Sequence, residues 1–196
     1  MYKAVVIGGS AGSFQVITRI LSSLPPTFPL PVLLSLHRLK HVRSGFVEAL
    51  SIKSSIPVIE PYDKDQIKPG KAYLAPANYH MFIELGNRIA LSTERPVNHS
   101  RPSIDLSFIT AAQVYREKLI GIILSGANKD GAFGIKKIKD YGGTVIVQDP
   151  NECQVKTMTE AALKLTKADH ILKTDEIIRY LQSIKYNTAN NEDIPK

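Results

Sequence analysis

Residues 3–13 read KAVVIGGSAGS, a β-branched apolar run that leads into a glycine-rich turn around Ser10. The apolar run predicts a buried strand of about seven residues. The segment from Ser13 to Leu24 places its apolar residues at helical spacing, and Pro25 and Pro26 end the pattern. Strand, tight turn and helix in this order predict the first βα unit of an α/β domain.

The same alternation continues along the chain. Apolar runs predict strands at 31–37, 57–62, 119–125 and 144–148, and helical patterns predict helices at 44–54, 102–118, 132–141, 159–166 and 174–184. Three extended runs within 71–93, the last two separated by Gly86-Asn87, predict an antiparallel hairpin insertion. The expected fold is therefore a doubly wound, mostly parallel sheet flanked by helices in a Rossmann-like three-layer arrangement, with this hairpin added.

The start of the helix at 102–118 carries local signals of its own. Ser103 is placed to cap it, and Asp105 falls in the first turn, where a negative charge is favourable.

Length and composition indicate a single domain with an ordinary apolar core. The chain has 196 residues, of which 43% are hydrophobic, enough for one core without disulfides or metals. We expect the domain to span 1–185 and the polar segment 186–196 to be disordered. Cys153 is the only cysteine, and no apolar run approaches the roughly 20 residues needed to cross a bilayer. Both features favour the cytoplasm.

The charge is strongly basic, with 25 Lys and Arg against 18 Asp and Glu and a formal charge of +7. Such a charge suits an acidic partner, but no aromatic-rich basic stretch or known motif supports nucleic acid. Positions 1–47 contain five basic residues and no acidic residue. They are Lys3, Arg19, Arg38, Lys40 and Arg43. Some of this charge is expected to border the site and steer an acidic protein, although a general basic surface is an equally good interpretation.

The stretch Gly8-Gly9-Ser10-Ala11-Gly12 matches G-x-S-x-G, in which a serine hydroxyl is exposed on a strand-to-helix turn. The following helix adds free N–H groups and a positive dipole end, where an oxyanion can be stabilised. Alternatively, Ser10 caps the helix or the loop binds phosphate. A dinucleotide site is disfavoured, since G-x-G-x-x-G would need glycine at position 10 and no acidic residue lies within 28–36.

Two further polar residues follow apolar strands. His37 ends the second strand, and Asp130 lies in the loop between the strand at 119–125 and the next helix. Separately, they could be an ordinary histidine and a helix cap. The pair His37 and His41 lies on a loop without nearby carboxylates, so no metal site is predicted. Because parallel strands end at one edge, Ser10, His37 and Asp130 could meet in a hydrolytic triad.

The sequence resembles the catalytic domain of the CheB-type protein-glutamate methylesterases of bacterial chemotaxis from Val5 to about Leu172. The matching stretches, in order, are IGGSAGS (7–13), LH (36–37), PGKAYLAPANYH (69–80), RPSIDLSF (101–108), ILSGANKDGAFG (123–134) and VKTMTEAA (155–162). The family usually also carries a receiver domain, whereas this sequence starts just before the first strand. It is expected to be a stand-alone esterase or a fragment.

The resemblance implies a function and a set of site residues. Ser10 would be the nucleophile, His37 the general base and Asp130 the orienting carboxylate, with N–H groups near Ala11 and Ala127 as oxyanion donors. The implied substrates are methylated glutamates on cytoplasmic chemoreceptor helices, with deamidation of receptor glutamines as a second activity. No cofactor or metal is implied, and other chemotaxis signalling proteins are possible partners.

The sequence departs from the family pattern at several positions near the expected site. They are Ser13, Arg38 with Leu39, Ala127 with Asn128, and Thr157 and Thr159. A non-glycine residue at 128 could alter a backbone angle that glycine reaches easily. Two alternatives therefore stay open: an esterase or amidase with another substrate, and a catalytically weakened module that binds a signalling partner.

Overall fold

The computed structural model describes residues 1–37 and 45–184. Its strands are β1 (Ala4–Gly9), β2 (Val32–Leu36), β3 (Val58–Ile59), β4 (Ala72–Leu74), β5 (His80–Glu84), β6 (Arg88–Ser92), β7 (Leu119–Ile123), β8 (Thr144–Gln148) and β9 (His170–Leu172). Its α-helices are α1 (Ser13–Ser23), α2 (Phe46–Lys53), α3 (Ile104–Tyr115), α4 (Ala132–Asp140), α5 (Thr157–Leu165) and α6 (Thr174–Gln182). A short 3₁₀ turn, Arg116–Lys118, joins α3 to β7.

The described strands form a seven-stranded sheet in the order β3-β4-β2-β1-β7-β8-β9, in which every pairing is parallel. The chain starts at β1 in the middle, builds one half of the sheet outward through β2, and later returns to build the other half from β7. The order of the strands therefore reverses beside β1. In open α/β sheets, this switch point is where ligands bind beyond the carboxyl ends of the strands.

Helices cover both faces of the sheet, and each face has its own apolar core. One core joins α1, α2 and α6 to the sheet through residues such as Ile17, Leu50 and Ile177. The other joins α3, α4 and α5 through residues such as Phe108 and Ile135. β1 and β7 are buried along their whole length, as expected for unbroken apolar runs in a parallel sheet. This arrangement confirms the doubly wound fold expected from the sequence.

The hairpin is shorter than expected. β5 and β6 pair antiparallel around Gly86 and Asn87, as the turn sequence predicts. The run at 71–76, however, supplies β4, which pairs parallel with β2 and β3 in the main sheet. The insertion is thus confined to 80–92, and one of the three extended runs belongs to the central sheet.

Other differences are local. β9 was not predicted, since it has only three residues and none is fully buried. α5 begins two residues earlier than expected, at Thr157. The polar segment 186–196, expected to be disordered, and His41 of the histidine pair lie outside the described residues. Within residues 1–37 and 45–184, no helix has the length and apolar character needed to cross a membrane.

Candidate active site

The three residues predicted to form a triad follow three neighbouring strands. Gly9 is paired with Leu36, so Ser10 and His37 come next on β1 and β2, and the His37 N–H donates to the Gly9 carbonyl at 3.0 Å. On the other side of β1, the Ser10 N–H donates to the Ser125 carbonyl at 2.9 Å. Asp130 lies farther along the loop that follows β7. All three residues therefore lie at the carboxyl edge of the sheet, beside the switch point.

The turn that carries Ser10 depends on Gly12. Gly12 has φ of 83°, in the left-handed region that favours glycine. An added Cβ there would lie 2.7 Å from Gln154 Cβ and 2.8 Å from Ser125 Oγ, closer than atoms can approach. Glycine is thus required both by the backbone and by the space available.

Two buried hydroxyl groups hold the same turn. Ser13 donates its side-chain hydroxyl to the Ser10 carbonyl at 2.7 Å. Ser125 donates to the Ala11 carbonyl at 2.7 Å and accepts from the Val155 N–H at 3.0 Å. The departure from the family pattern at Ser13 therefore adds a hydrogen bond to the turn and leaves the Ser10 side chain free of it.

His37 and Asp130 are in direct contact. His37 Nε2 lies 2.7 Å from Asp130 Oδ2, with 12% of the His37 side chain and none of the Asp130 side chain exposed. A hydrogen bond between an imidazole N–H and a buried carboxylate fixes the tautomer and the orientation of the ring. This contact is the one that a general base and its orienting carboxylate require.

The Asp130 carboxylate also receives hydrogen bonds from the start of α3. Oδ2 accepts from the Ile104 N–H at 2.7 Å, and Oδ1 accepts from the Asp105 N–H at 3.2 Å and the Ser103 hydroxyl at 3.0 Å. Burial acts to raise the pKa of Asp130, but hydrogen bonds from His37, Ile104 and Asn98 outweigh burial and hold the pKa below its ordinary value of 3.8. The carboxyl is therefore ionised at neutral pH.

The alternative interpretation of Asp130 as the cap of the following helix is not what the structure shows. α4 begins after Gly131, and the carboxylate that accepts from its first turn belongs to Asp105 in α3. Asp105 Oδ1 accepts from the N–H groups of Gly131 and Gly134 at 2.9 and 2.6 Å. Ser103 caps α3 as predicted, through the Leu106 N–H at 3.4 Å. Asp130 is thus left to contact α3 and His37.

The second ring nitrogen of His37 faces polar side chains from two loops. Nδ1 lies 3.5 Å from Ser100 Oγ and 3.4 Å from Asn128 Nδ2, both at the outer limit of hydrogen bonding. The hydroxyl of Ser10 forms no hydrogen bond with any other residue in the described ranges 1–37 and 45–184. Ser10 is half-buried.

The N–H groups predicted as oxyanion donors also have no acceptor among the residues that the structure describes. Ala11 and Ala127 are exposed and lie on the loops after β1 and β7. Neither N–H donates a hydrogen bond to another part of the described chain. Asn128 does not adopt positive φ, so the substitution for glycine at this position causes no backbone strain.

The other departures from the family pattern have separate outcomes. Thr157 begins α5, and Thr159 is buried with its hydroxyl donating to the Lys156 carbonyl at 3.0 Å. Arg38 and Leu39 lie outside the described residues.

The basic residues of the N-terminal segment do not line the site where the structure describes them. Lys3 precedes β1 and lies at the opposite edge of the sheet from Ser10. Arg19 forms an ion pair with Asp175 on α6. The remaining three, Arg38, Lys40 and Arg43, lie outside the described residues. The described basic residue in the β7–α4 loop is Lys129, which is exposed.

Sequence patterns did not identify three polar residues that hold the site. Ser125 fixes the Ser10 turn, while Asp105 and Asn98 contact the Asp130 loop or its carboxylate. For Asp105, the sequence predicts only a favourable place in the first turn of its own helix. No group of three or more His, Cys, Asp or Glu side chains in the described part of the chain is placed to hold a metal ion.

Known proteins resemble this chain in sequence and in fold. The family model "CheB methylesterase" matches residues 5–181. A putative protein-glutamate methylesterase/protein-glutamine glutaminase of Leptospira interrogans is 42% identical over 176 residues, covering 90% of this chain and 91% of the relative. A protein-glutamate methylesterase/protein-glutamine glutaminase of Geobacter metallireducens is 38% identical over 93% of this chain, which spans 53% of that longer relative.

A solved structure matches as well. The crystal structure of the Thermotoga maritima CheB methylesterase catalytic domain superposes with a TM-score of 0.87 and 32% sequence identity. The match covers 93% of this chain and 98% of that domain. Sequence and fold thus agree along nearly the whole described chain, and the chain belongs to the CheB methylesterase family.

Proposed function

We propose that this chain hydrolyses methyl esters of glutamate side chains on chemotaxis receptors and releases methanol. The observation that carries the proposal is the 2.7 Å contact between His37 Nε2 and the buried Asp130 carboxylate. His37 follows β2, the strand that pairs with β1, and Ser10 follows β1. In a chain of the CheB methylesterase family, this contact supports Ser10 as nucleophile, His37 as general base and Asp130 as orienting carboxylate.

The first half of the reaction forms an acyl-enzyme. With Nε2 sharing its proton with Asp130, Nδ1 keeps the lone pair and takes the proton of the Ser10 hydroxyl as Oγ attacks the ester carbonyl. The tetrahedral intermediate then expels the methoxy group, which leaves as methanol with the proton from His37. The glutamyl carbonyl remains bonded to Ser10 Oγ.

The second half repeats these roles with water. His37 removes a proton from water as its oxygen attacks the acyl carbon, and the same proton returns to Ser10 Oγ as the acyl bond breaks. The products are a glutamate carboxyl group, which ionises, and the free enzyme. These steps use only side chains and water, so we propose no cofactor.

The oxyanion of both tetrahedral intermediates needs donors that are free before the reaction. Ala11 lies in the turn after Ser10, and Ala127 lies in the loop that leads to Asp130. Both residues are exposed, and their N–H groups donate to no other described residue. We assign them this role, since donors fixed in place before reaction stabilise the developing charge most effectively.

Deamidation of receptor glutamines follows from the same intermediate. An amide can be attacked by Ser10 and release ammonia in place of methanol, giving the identical acyl-enzyme. The names of the Leptospira and Geobacter relatives include protein-glutamine glutaminase activity, which supports this second reaction. Since methylated and amidated receptor positions lie on cytoplasmic helices, the proposed site of action is the cytoplasm.

Methanol release from a methylated receptor fragment tests the proposal. Wild-type protein should release methanol in proportion to the glutamate methyl esters present and ammonia from the corresponding glutamine form. Release of neither product would contradict the proposed substrate. Turnover of small activated esters in the same samples would then identify an esterase with another substrate, and failure of a fluorophosphonate to label Ser10 would indicate a binding module.

A further inference from the structure

A tight turn over residues 97–100 covers the Asp130 carboxylate. Val97 and Ser100 exchange backbone hydrogen bonds of 3.1 and 2.9 Å. Between them, Asn98 and His99 both adopt left-handed backbone angles, with φ of 50° and 62°. Two successive non-glycine residues in this region cost conformational energy, and such strain is concentrated at functional sites.

The strained turn places the Asn98 amide between two buried carboxylates. Asn98 Nδ2 donates to Asp105 Oδ2 at 2.9 Å and to Asp130 Oδ1 at 3.1 Å. Asp130 is fully buried and Asp105 is 7% exposed, whereas Asn98 itself is on the surface. Its side chain therefore separates both carboxylates from solvent on one side.

We propose that Asn98 is a positioning residue for the hydrolytic reaction, whose side-chain amide ties Asp130 to Asp105 and so fixes the carboxylate that orients His37. This inference rests on the function proposed above. It extends the site by a residue whose side chain bonds Asp105 and Asp130 and acts on the reaction through Asp130.

A neutral amide is suited to this place because it has two N–H donors and no net charge. Two buried carboxylates repel each other, and a shared NH₂ group gives each a hydrogen bond without a proton transfer. Asp105 holds the backbone after Asp130 through the Gly131 N–H. Asn98 holds the Asp130 side chain, so the two contacts together restrict both backbone and carboxylate.

The turn offers a matched pair of variants. Asn98→Gly removes the amide but suits the left-handed backbone, so backbone strain is reduced and only the contacts are lost. His99→Gly reduces the same strain one residue later and leaves the amide in place. We expect kcat of Asn98→Gly to fall at least about tenfold with KM little changed, as for loss of a hydrogen bond to a charged group. His99→Gly should keep the wild-type kcat.

A double-mutant cycle separates positioning from general support of the fold. If Asn98 acts through Asp130, Asn98→Gly should reduce kcat by less than about twofold in an Asp130→Asn background. A full tenfold loss in that background would overturn the proposal, since the effect would then be independent of Asp130. Thermal unfolding by circular dichroism shows whether each variant is folded.

Two readouts keep this inference distinct from the proposed substrate. Each variant is measured by methanol release and by the rate at which a fluorophosphonate labels Ser10. Wild type that labels but releases no methanol would contradict the substrate, and labelling rates would still test Asn98. Equal labelling of Asn98→Gly and His99→Gly would overturn the role of Asn98.

A second substitution covers the case in which Asn98→Gly does not fold. Asn98→Asp keeps the size of the side chain and tolerates the same backbone angles, but it places a third carboxylate against Asp105 and Asp130. We expect labelling of Ser10 to slow at least about tenfold at neutral pH. A wild-type labelling rate in folded Asn98→Asp would overturn the proposal.

Discussion

Asp105 and Asp130 accept hydrogen bonds from each other's helices: Asp105 lies in α3, and Asp130 lies just before α4. Asp130 accepts from the N–H groups of Ile104 and Asp105 at the start of α3, and Asp105 accepts from Gly131 and Gly134 at the start of α4. The exchange locks two packed helices together at their N-termini. The direction of the Asp130 carboxylate is therefore set by its contacts with α3 as well as by its contact with His37.

Loss of Asp105 should destabilise this junction. In Asp105→Ala, Gly131 and Gly134 lose a buried acceptor, so the free energy of unfolding should fall by about 2 kcal/mol. Urea denaturation at neutral pH measures the change. Asp140→Ala, on the exposed end of α4, should change stability by less than about 0.5 kcal/mol. Equal stabilities of the two variants would contradict the cap exchange.

Asp130→Asn tests the orienting role directly. The amide cannot hold the imidazole in the tautomer that leaves a lone pair on Nδ1, so kcat should fall about 1,000- to 10,000-fold with little change in KM. Steady-state methanol release provides both constants. A decrease confined to KM would mean that Asp130 contributes to binding and has no part in the chemistry.

The pH dependence of stability should reflect the lowered pKa of Asp130. The folded-state pKa lies below the ordinary 3.8, so the ionised carboxylate stabilises the fold above that value and this contribution is lost as pH falls through the folded pKa. The stability difference between wild type and Asp130→Asn should be constant above pH 3.8 and shrink below it. Denaturant titrations at a series of pH values measure this difference. A difference that grows on acidification would contradict the assignment.

Ser125 should affect reactivity through the Ser10 turn. Ser125→Ala removes the hydroxyl that donates to the Ala11 carbonyl and accepts from Val155, so labelling of Ser10 by a fluorophosphonate should slow about tenfold. Ser107→Ala, which removes another buried hydroxyl from α3, is the control. It should lose stability without slower labelling, and equal rates for the two variants would argue against a role for Ser125.

The sequence was sufficient to locate the site at the carboxyl edge of the sheet, because local patterns identify the strands that lead there. β1, β2 and β7 are unbroken apolar runs, and the residues that follow them, including Ser10 and His37, had to lie at one edge of a parallel sheet. The hydrogen bond between His37 and Asp130 could then be expected from topology.

The supporting contacts could not be found in the same way. Ser125, Asn98 and Asp105 act on residues distant in sequence, and their types are common in loops and helix caps. The sequence does not predict β9, because three partly exposed residues show no alternation of apolar and polar side chains. It predicts β4 as part of the hairpin, because the partner of a strand depends on tertiary contacts. These features require the register of the sheet and the packing of α3 against α4.

Methanol release by Ser10→Ala is the most direct test of the central claim, that Ser10 acts with the His37–Asp130 pair to hydrolyse glutamate methyl esters. On a methylated receptor fragment, Ser10→Ala should lose at least about 1,000-fold in kcat while its far-ultraviolet circular dichroism stays unchanged. Ser22→Ala, an exposed serine on α1, should match wild type. Wild-type methanol release by folded Ser10→Ala would contradict the account.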